Sequence, residues 1–189
     1  MRVTSLEIPE VKLFSPNRLG DERGYFAETF RSDLFKEACG DYSFVQDNES
    51  LSVKPGTIRG LHFQCEPHVQ GKLVRCIAGS LFDVAVDIRN GSPTYGHWVG
   101  EILSAQSGRQ LWVPPGFAHG FCSLEPNTVI AYKVTSYYSA ECDKGLAWDD
   151  KVIDVAWPEL ADPDTLSAKD CRQPTISQLP QYFFIEGAV

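Results

Sequence analysis

The chain has 189 residues and a formal net charge of −8, with 43% hydrophobic and 22% charged residues. This composition is typical of one soluble globular domain over residues 1–189, and so acidic a chain is a poor candidate for binding nucleic acid or an anionic membrane. An apolar signal segment and a run of membrane-spanning length are both absent, and the six cysteines have irregular spacings. The sequence therefore predicts a cytoplasmic protein with reduced thiols and no zinc ribbon.

Short segments with strand character follow one another along the chain. RVTSLEI (2–8) is a candidate edge strand, and residues 32–40 predict a short helix that is capped by Ser32 and stops at Gly40. Residues 72–89 read as two strands joined by a Gly-Ser turn, which predicts a hairpin. Further strands are predicted at 97–105, 109–114, 118–124 and 127–139.

The alternation in LFDVAVDIR (81–89) predicts a half-buried strand, with Phe82 and Val84 on one face and Asp83 and Asp87 on the other. The last 40 or so residues are richer in Pro and Asp and are expected to wrap around the core. Many short strands with few helices predict a mainly β fold, a jelly-roll β-barrel with a few short helices.

Two segments resemble the paired motifs of the cupin superfamily, in which three histidines and a glutamate hold a metal. At the corresponding positions this chain has His62, Gln64, Lys72 and His119. An ammonium repels a divalent cation, and an amide is a weak ligand for a transition metal. The sequence therefore predicts a cupin pocket with no metal and no cofactor.

A pocket with a histidine and a lysine suits proton abstraction next to a carbonyl group. Histidine titrates near neutral pH and can act as the base, here His62. The ammonium of Lys72 can stabilise the enolate that forms, and Tyr132, expected to point inward with Ile130 and Val134, can return a proton from the opposite face. These residue types together predict epimerisation next to a ketone.

Arg59 and His62 are three residues apart, so a regular strand would direct them to opposite faces. Gly60 permits a bulge that turns both side chains toward one pocket. We therefore predict an irregularity between residues 58 and 62.

Six stretches carry a resemblance to a known family: GTIRGLHFQ (56–64), QGKLVRCIAGSLFDVAVDIR (70–89), SPTYG (92–96), RQLWVPPGFAHGFC (109–122), YKVTSYYS (132–139) and LSAKD (166–170). Together they closely resemble the dTDP-4-dehydrorhamnose 3,5-epimerase family, and the resemblance runs from about residue 15 to residue 170. Enzymes of this family epimerise a dTDP-4-keto-6-deoxy sugar at C3 and C5, and the resemblance implies the same substrate class here.

The resemblance also implies roles for individual residues. His62 matches the family's base, Asp170 the carboxylate that orients it, Lys72 the group near the C4 oxygen, and Tyr132 the general acid. Positions that match substrate contacts are Arg23, Glu28, Gln46, Asn48, Arg59, His119, Tyr138, Asp143 and Lys169. Among these, Arg23 and Arg59 match residues that hold the diphosphate, and Tyr138 matches an aromatic near the nucleotide.

The resemblance further implies a homodimer in which N-terminal strands pair across the interface. At four positions the chain departs from the usual family pattern, with Leu19 for Phe, Glu49 for His, Ala140 for Pro and Asp143 for Glu. The Asp143 side chain is one methylene shorter, so a direct contact with the nucleotide could become water-mediated. These departures bear on nucleotide preference and leave the acid–base residues in place.

Three alternatives remain open from the sequence. One is an epimerase that acts at C3 alone in another deoxysugar pathway. The second is a non-catalytic module that binds a sugar nucleotide. The third is a metal-dependent cupin, against which Lys72 and Gln64 argue.

Overall fold

Two β-sheets face each other and carry short helices at their periphery. The computed structural model describes residues 1–185. Its strands are β1 (Arg2–Ser5), β2 (Lys12–Ser15), β3 (Arg18–Asp21), β4 (Gly24–Ala27), β5 (Gln46–Ser52), β6 (Ile58–Gln64), β7 (Lys72–Ala78), β8 (Ser80–Asp87), β9 (Arg89–Asn90), β10 (Trp98–Ser104), β11 (Gln110–Val113), β12 (Phe117–Ser123), β13 (Thr128–Val134), β14 (Asp143–Gly145) and β15 (Phe183–Phe184). Its helices are α1 (Ser32–Cys39) and three 3-10 turns at Pro163–Thr165, Asp170–Arg172 and Ile176–Gln178.

The six-stranded sheet has the order β1-β2-β11-β7-β13-β5, and the five-stranded sheet has the order β10-β8-β12-β6-β14. Neighbouring strands within both sheets are antiparallel. This arrangement confirms the mainly β jelly-roll prediction, and β1 confirms the edge strand predicted near the N-terminus. The two sheets share no strand within residues 1–185, so the barrel is not closed by hydrogen bonds.

The main core fills the space between the two sheets. It combines Val74, Leu111 and Ile130 from the six-stranded sheet with Ala85 and Phe121 from the five-stranded sheet, all of them buried. Inward-facing residues alternate with outward-facing ones along each strand, which is how two stacked sheets share one apolar layer. The core occupies most of the layer between the sheets and leaves room for a cavity beside it.

The predicted hairpin over residues 72–89 is wrong. β7 lies in the six-stranded sheet and pairs with β11 and β13, whereas β8 lies in the five-stranded sheet and pairs with β10 and β12. Gly79 sits between them with φ of +73°, and an added Cβ there would lie 2.6 Å from Thr128 Oγ1. A short Gly-Ser connection favours a hairpin, but here the chain crosses from one sheet to the other.

The prediction of a half-buried β8 is also wrong, because both of its faces are covered. Asp83 and Asp87 lie on the inner side with Ala85 and are fully buried. Phe82 and Val84 face the other way, under the C-terminal segment. That segment packs on the outer side of the five-stranded sheet, which confirms the predicted wrapping for the part up to residue 185; residues 186–189 lie outside the described residues.

Helix α1 spans the predicted segment and covers the outer side of the six-stranded sheet, where buried Phe35 packs edge-on against Trp112. Gly40 ends the helix with φ of +98°, a conformation that favours glycine. The N-cap position is Arg31 rather than Ser32, and no side chain caps this end. Among the described residues, no helix is both long and apolar enough to span a membrane.

Candidate active site

A cavity of about 240 Å³ opens between the two sheets next to the core. All four residues expected to carry the chemistry line it, together with two of the expected substrate contacts. The full lining is Ser50, Arg59, His62, Lys72, His119, Phe121, Ile130, Tyr132, Ser167 and Asp170. A larger cavity of about 360 Å³ beside β5 and β13 is lined by Tyr132 but by none of the other three, so we assign the chemistry to the smaller one.

His62 and Asp170 form a close pair at the wall of this cavity. The His62 Nε2 atom lies 2.5 Å from Oδ1 of Asp170, and Asp170 is buried while His62 is half-buried. Burial alone would raise the pKa of Asp170, but hydrogen bonds with His62 and Ser167 hold it below its usual value. The carboxylate therefore stays ionised and fixes the orientation of the imidazole ring.

Asp170 is positioned by a local backbone motif. Its backbone N–H donates to the Ser167 hydroxyl at 3.1 Å, just where a 3-10 turn begins. The spacing of Ser167 and Asp170 in LSAKD is that of a side-chain cap at the start of a helical turn. The sequence analysis did not single out Ser167, although this capping pattern could have identified it.

Strand β6 carries a bulge that turns two functional side chains into the cavity. His119 of β12 pairs with His62, whereas Phe121 pairs with Arg59. The step from one pair to the next is therefore two residues along β12 but three residues along β6. Gly60 lies within the bulge with φ of +131°, and an added Cβ would be 2.5 Å from the Cα of Gly120. The predicted irregularity between residues 58 and 62 is confirmed, and it brings Arg59 and His62 to the same side.

Lys72 enters the cavity from the start of β7 on the opposite sheet. Its Nζ donates to the backbone carbonyl of His62 at 3.2 Å, and the residue is only 8% exposed. Burial lowers the pKa of Lys72 to about 8, against the opposing effect of the Asp143 and Asp83 carboxylates. The side chain is therefore a cation at neutral pH, in a dry position where its charge is poorly screened.

Tyr132 lies on the same face of β13 as Ile130 and Val134, as predicted, and is partly buried against the core. Burial raises the pKa of its hydroxyl above the usual value, although the nearby Arg59 guanidinium opposes this effect. The tyrosine is thus held as a neutral phenol, the form that can donate a proton.

His119 belongs to a second histidine–carboxylate pair behind the first. Its Nε2 lies 2.7 Å from Oδ1 of Asp83, and both residues are buried. His119 was predicted as a substrate contact, and the structure gives it a carboxylate partner while its ring lines the cavity. Asp83 was missed because alternation alone does not show which face of a strand is inside.

Five of the predicted substrate contacts form a polar rim, a hydrogen-bonded group outside the residues that line the cavity. The Asp143 carboxylate accepts hydrogen bonds from Lys169 Nζ at 2.5 Å and from the Tyr138 hydroxyl at 3.0 Å. Gln46 accepts from the Tyr138 backbone N–H and donates to the Asn48 side chain. These five residues, all predicted as substrate contacts, are therefore linked to one another by hydrogen bonds.

Arg23 and Glu28 lie apart from this cavity. Arg23 is on the exposed hairpin of β3 and β4 and is paired with Asp21, and Glu28 lies 3.8 Å from Arg31. The same hairpin exposes two large apolar side chains, Leu19 at 71% and Phe26 at 70%. Neither of the two predicted contacts is brought to the cavity within one chain.

The position that matches a cupin metal ligand at Gln64 has a different role. Its amide donates to the backbone carbonyls of His68 and Tyr137 and accepts from the backbone N–H of Ser139. Both ends of the amide are therefore engaged in holding the segment that carries the rim. Over residues 1–185, no group of three or more His, Cys, Asp or Glu side chains could hold a metal ion.

Comparison with known proteins shows the family of this chain. The family model described as dTDP-4-dehydrorhamnose 3,5-epimerase matches residues 5–178. The chain belongs to this family. The enzyme of that name from Sinorhizobium fredii is 58% identical over 183 residues, covering 97% of this chain and 93% of its own.

Solved structures of such enzymes share the fold. One is dTDP-6-deoxy-D-glucose-3,5-epimerase RmlC from Legionella pneumophila in complex with dTDP-4-keto-L-rhamnose, with a TM-score of 0.88, 44% identity and coverage of 94% of both chains. Another is ChmJ, a 3′-monoepimerase from Streptomyces bikiniensis in complex with dTDP-quinovose. ChmJ has a TM-score of 0.85 and 31% identity, covering 92% of this chain and 86% of its own.

Proposed function

We propose that this enzyme epimerises dTDP-4-keto-6-deoxy-D-glucose at C3 and C5 to give dTDP-4-keto-L-rhamnose. The observation that carries this proposal is that His62 and Tyr132 project from opposite sheets into one cavity. A sugar ring lying between the sheets would meet a base on one face and an acid on the other. Inversion of a stereocentre by proton exchange needs that arrangement.

The reaction begins at the carbon next to the C4 ketone. His62, held by Asp170, removes the α-proton, and the electron pair moves to the C4 oxygen to form an enolate. The Lys72 ammonium stabilises that negative charge in a site shielded from water. Tyr132 then protonates the carbon from the other face. The same steps at the second carbon complete the double epimerisation, and both residues return to their starting protonation states through solvent.

The nucleotide would lie along the rim. Arg59 lines the cavity and offers a guanidinium that can pair with phosphate oxygens. The linked side chains of Gln46, Tyr138, Asp143 and Lys169 provide donors and an aromatic ring for the sugar and base. Because His119 also lines the cavity, it would contact the sugar, with Asp83 holding its ring.

We further propose that the protein is a homodimer in which the β3–β4 hairpin packs on a second copy. Its exposed apolar residues, Leu19 and Phe26, favour burial in an interface, and an interface there could place Arg23 and Glu28 near the partner's cavity. Sedimentation velocity would give a dimer if this is right and a monomer if it is wrong. We also propose a cytoplasmic location, which suits the six free thiols.

Epimerisation at C3 alone is the second candidate, and the similarity to the 3′-monoepimerase ChmJ favours keeping it. Both reactions use the same base and the same enolate. They differ in whether the acid can reach C5 as well as C3, so the product must be identified rather than only the loss of substrate.

The proposal is tested by incubating the protein with dTDP-4-keto-6-deoxy-D-glucose and identifying the product by proton NMR. A changed H2–H3 coupling together with changed nuclear Overhauser contacts of H5 would support the double reaction, and a changed H2–H3 coupling alone would support the second candidate. A His62→Asn variant should retain affinity for dTDP in a calorimetric titration while losing turnover.

If wild type binds dTDP but converts no substrate, the protein is a binding module. If turnover needs added metal, it is a metal-dependent cupin.

A further inference from the structure

Two cysteines lie opposite each other where β6 ends and β14 begins. Gln64 is the register partner of Asp143, and one step further the Cys65 backbone N–H donates to the Cys142 carbonyl at 3.0 Å. Directly paired residues on antiparallel strands have Cβ atoms about 4.5–5.5 Å apart and Cα atoms about 5.5 Å apart when hydrogen-bonded. This Cα separation lies within the span of a disulfide, which is about 4.4–6.8 Å. The strand register therefore places the two backbones at a separation that a disulfide can span.

The two thiols also differ in their access to solvent. Cys65 is half-buried and can meet a small solute, whereas Cys142 is buried with its Sγ 3.5 Å from the Glu66 carbonyl. Burial, followed by the charge and hydrogen bonding of the Cys142 thiol, raises the pKa of Cys65. Because a raised pKa leaves less thiolate at neutral pH, attack by Cys65 should be slower at pH 7 than at pH 9.

We propose that Cys65 and Cys142 are a site of reversible oxidation. Low-molecular-weight disulfides act as the oxidant, and the product is an intramolecular disulfide between the two cysteines. The Cys65 thiolate attacks one sulfur of the oxidant, forms a mixed disulfide and releases one thiol. The Cys142 thiolate then attacks the Cys65 sulfur, the protein disulfide forms, and the second thiol leaves. The two cysteines lose two electrons and two protons, and the oxidant gains both.

This bond would join the strand of His62 to the segment that carries the rim. Cys142 immediately precedes Asp143, which binds Lys169 and Tyr138, and Gln64 already holds the backbone at Tyr137 and Ser139. Because the disulfide closes a long stretch of chain, it removes much of the freedom of the unfolded state. The melting temperature of the oxidised protein should rise by roughly 5 °C or more.

The test uses the full chain, oxidised glutathione and tryptic mapping without reductant. The expected product joins peptide 60–72 to peptide 134–144 and is two hydrogens lighter than their sum. It should form faster at pH 9 than at pH 7, disappear with dithiothreitol, and be absent from Cys65→Ser. A Cys171→Ser variant, which lacks an exposed thiol elsewhere, should form it normally.

Exhaustive oxidation that leaves only glutathione adducts on Cys65, or only crosslinks between two chains, would overturn the proposal. The wild-type map decides this even if a serine variant folds poorly. No substrate is used, so the outcome does not depend on the proposed epimerase activity.

Discussion

His62 and Asp170 are 108 residues apart in the chain, yet their side chains share a hydrogen bond of 2.5 Å at the wall of the cavity. The histidine comes from a sheet strand and the carboxylate from a short 3-10 turn in the C-terminal segment. The wrapping of that segment over the five-stranded sheet is thus what completes the pair. The His62–Asp170 pair therefore requires the C-terminal segment to be packed on that sheet.

Replacing Asp170 with Asn should lower kcat by about 10²–10³-fold, because the imidazole loses the carboxylate that orients it and stabilises its charge. Steady-state kinetics with the dTDP-sugar would measure this. Asp164→Asn, at an exposed position in the same segment, is the matched control and should leave kcat unchanged. Equal activity in the Asp170→Asn variant and wild type would contradict a catalytic role for the pair.

The same substitution should change stability at acid pH. The folded-state pKa of Asp170 is lowered, so its ionised carboxylate stabilises the folded protein fully above the unfolded-state pKa of about 3.8. This stabilisation is lost as pH falls through the folded-state pKa. The free energy of unfolding should therefore be higher for wild type than for Asp170→Asn by about 1–3 kcal/mol above the unfolded-state pKa. This difference should disappear as pH falls below about 4. Urea unfolding across that range would measure it, and a constant difference would contradict the low pKa.

Replacing Lys72 with Met should abolish most activity, by about 10²-fold or more, because the enolate loses its stabilising cation. In wild type, kcat/KM should fall about tenfold per unit above pH 8 as the ammonium loses its proton. Lys36→Met, at an exposed lysine, should behave as wild type. Retention of full activity by the Lys72→Met variant would remove the ammonium from the mechanism.

Lys72→Met should also be more stable than wild type at pH 7. Folding lowers the Lys72 pKa from 10.5 to about 8, so the buried ammonium costs stability below pH 8. The gain should be about 1–3 kcal/mol at pH 7 and should shrink as pH rises from 8 toward 10.5. Denaturant unfolding measures this difference directly. A less stable variant at pH 7 would contradict the assignment.

Replacing Tyr132 with Phe should separate proton removal from inversion. Exchange of the α-protons with solvent should continue, because His62 and Lys72 remain, while the yield of inverted product falls by about 10²-fold. NMR in D₂O reports both quantities in one sample. Tyr137→Phe, at an exposed tyrosine, is the control. Full inversion by the Tyr132→Phe variant would assign the acid to another group.

Replacing Gly60 with Ala should destabilise the fold and lower activity together. The φ of +131° is unfavourable for alanine, and its Cβ would lie 2.5 Å from Gly120 Cα. Gly24 has a similar φ of +134° but open space around it, so Gly24→Ala measures the conformational cost alone. The free energy of unfolding should be lower for Gly60→Ala than for Gly24→Ala by about 2 kcal/mol or more. Equal losses would mean that the bulge tolerates a side chain.

The sequence predicted the parts of the site that depend on local pattern. The strand carrying His62, the bulge at Gly60 and the inward face of Tyr132 all follow from alternation, glycine and residue spacing. The pairing with Asp170 came from the family resemblance, because no local rule connects residues 108 positions apart.

The errors arose where tertiary packing decides. The 72–89 segment has two strand-like runs joined by Gly-Ser, which is the pattern of a hairpin, but its two strands lie in different sheets. The half-buried pattern predicted for β8 did not reveal that Asp83 faces the core, because charged residues are usually exposed, whereas Asp83 is buried and paired with His119. Arg23 and Glu28 were predicted as substrate contacts from the family resemblance, and within one chain they lie apart from the cavity.

The central claim, that opposed groups exchange protons at both carbons beside the ketone, is tested most directly in D₂O. The protein is incubated with dTDP-4-keto-6-deoxy-D-glucose and deuterium is followed by NMR at C3 and C5. We expect deuterium at both C3 and C5, with inversion at both carbons. Absence of deuterium at both carbons, in a protein that binds dTDP, would contradict the claim.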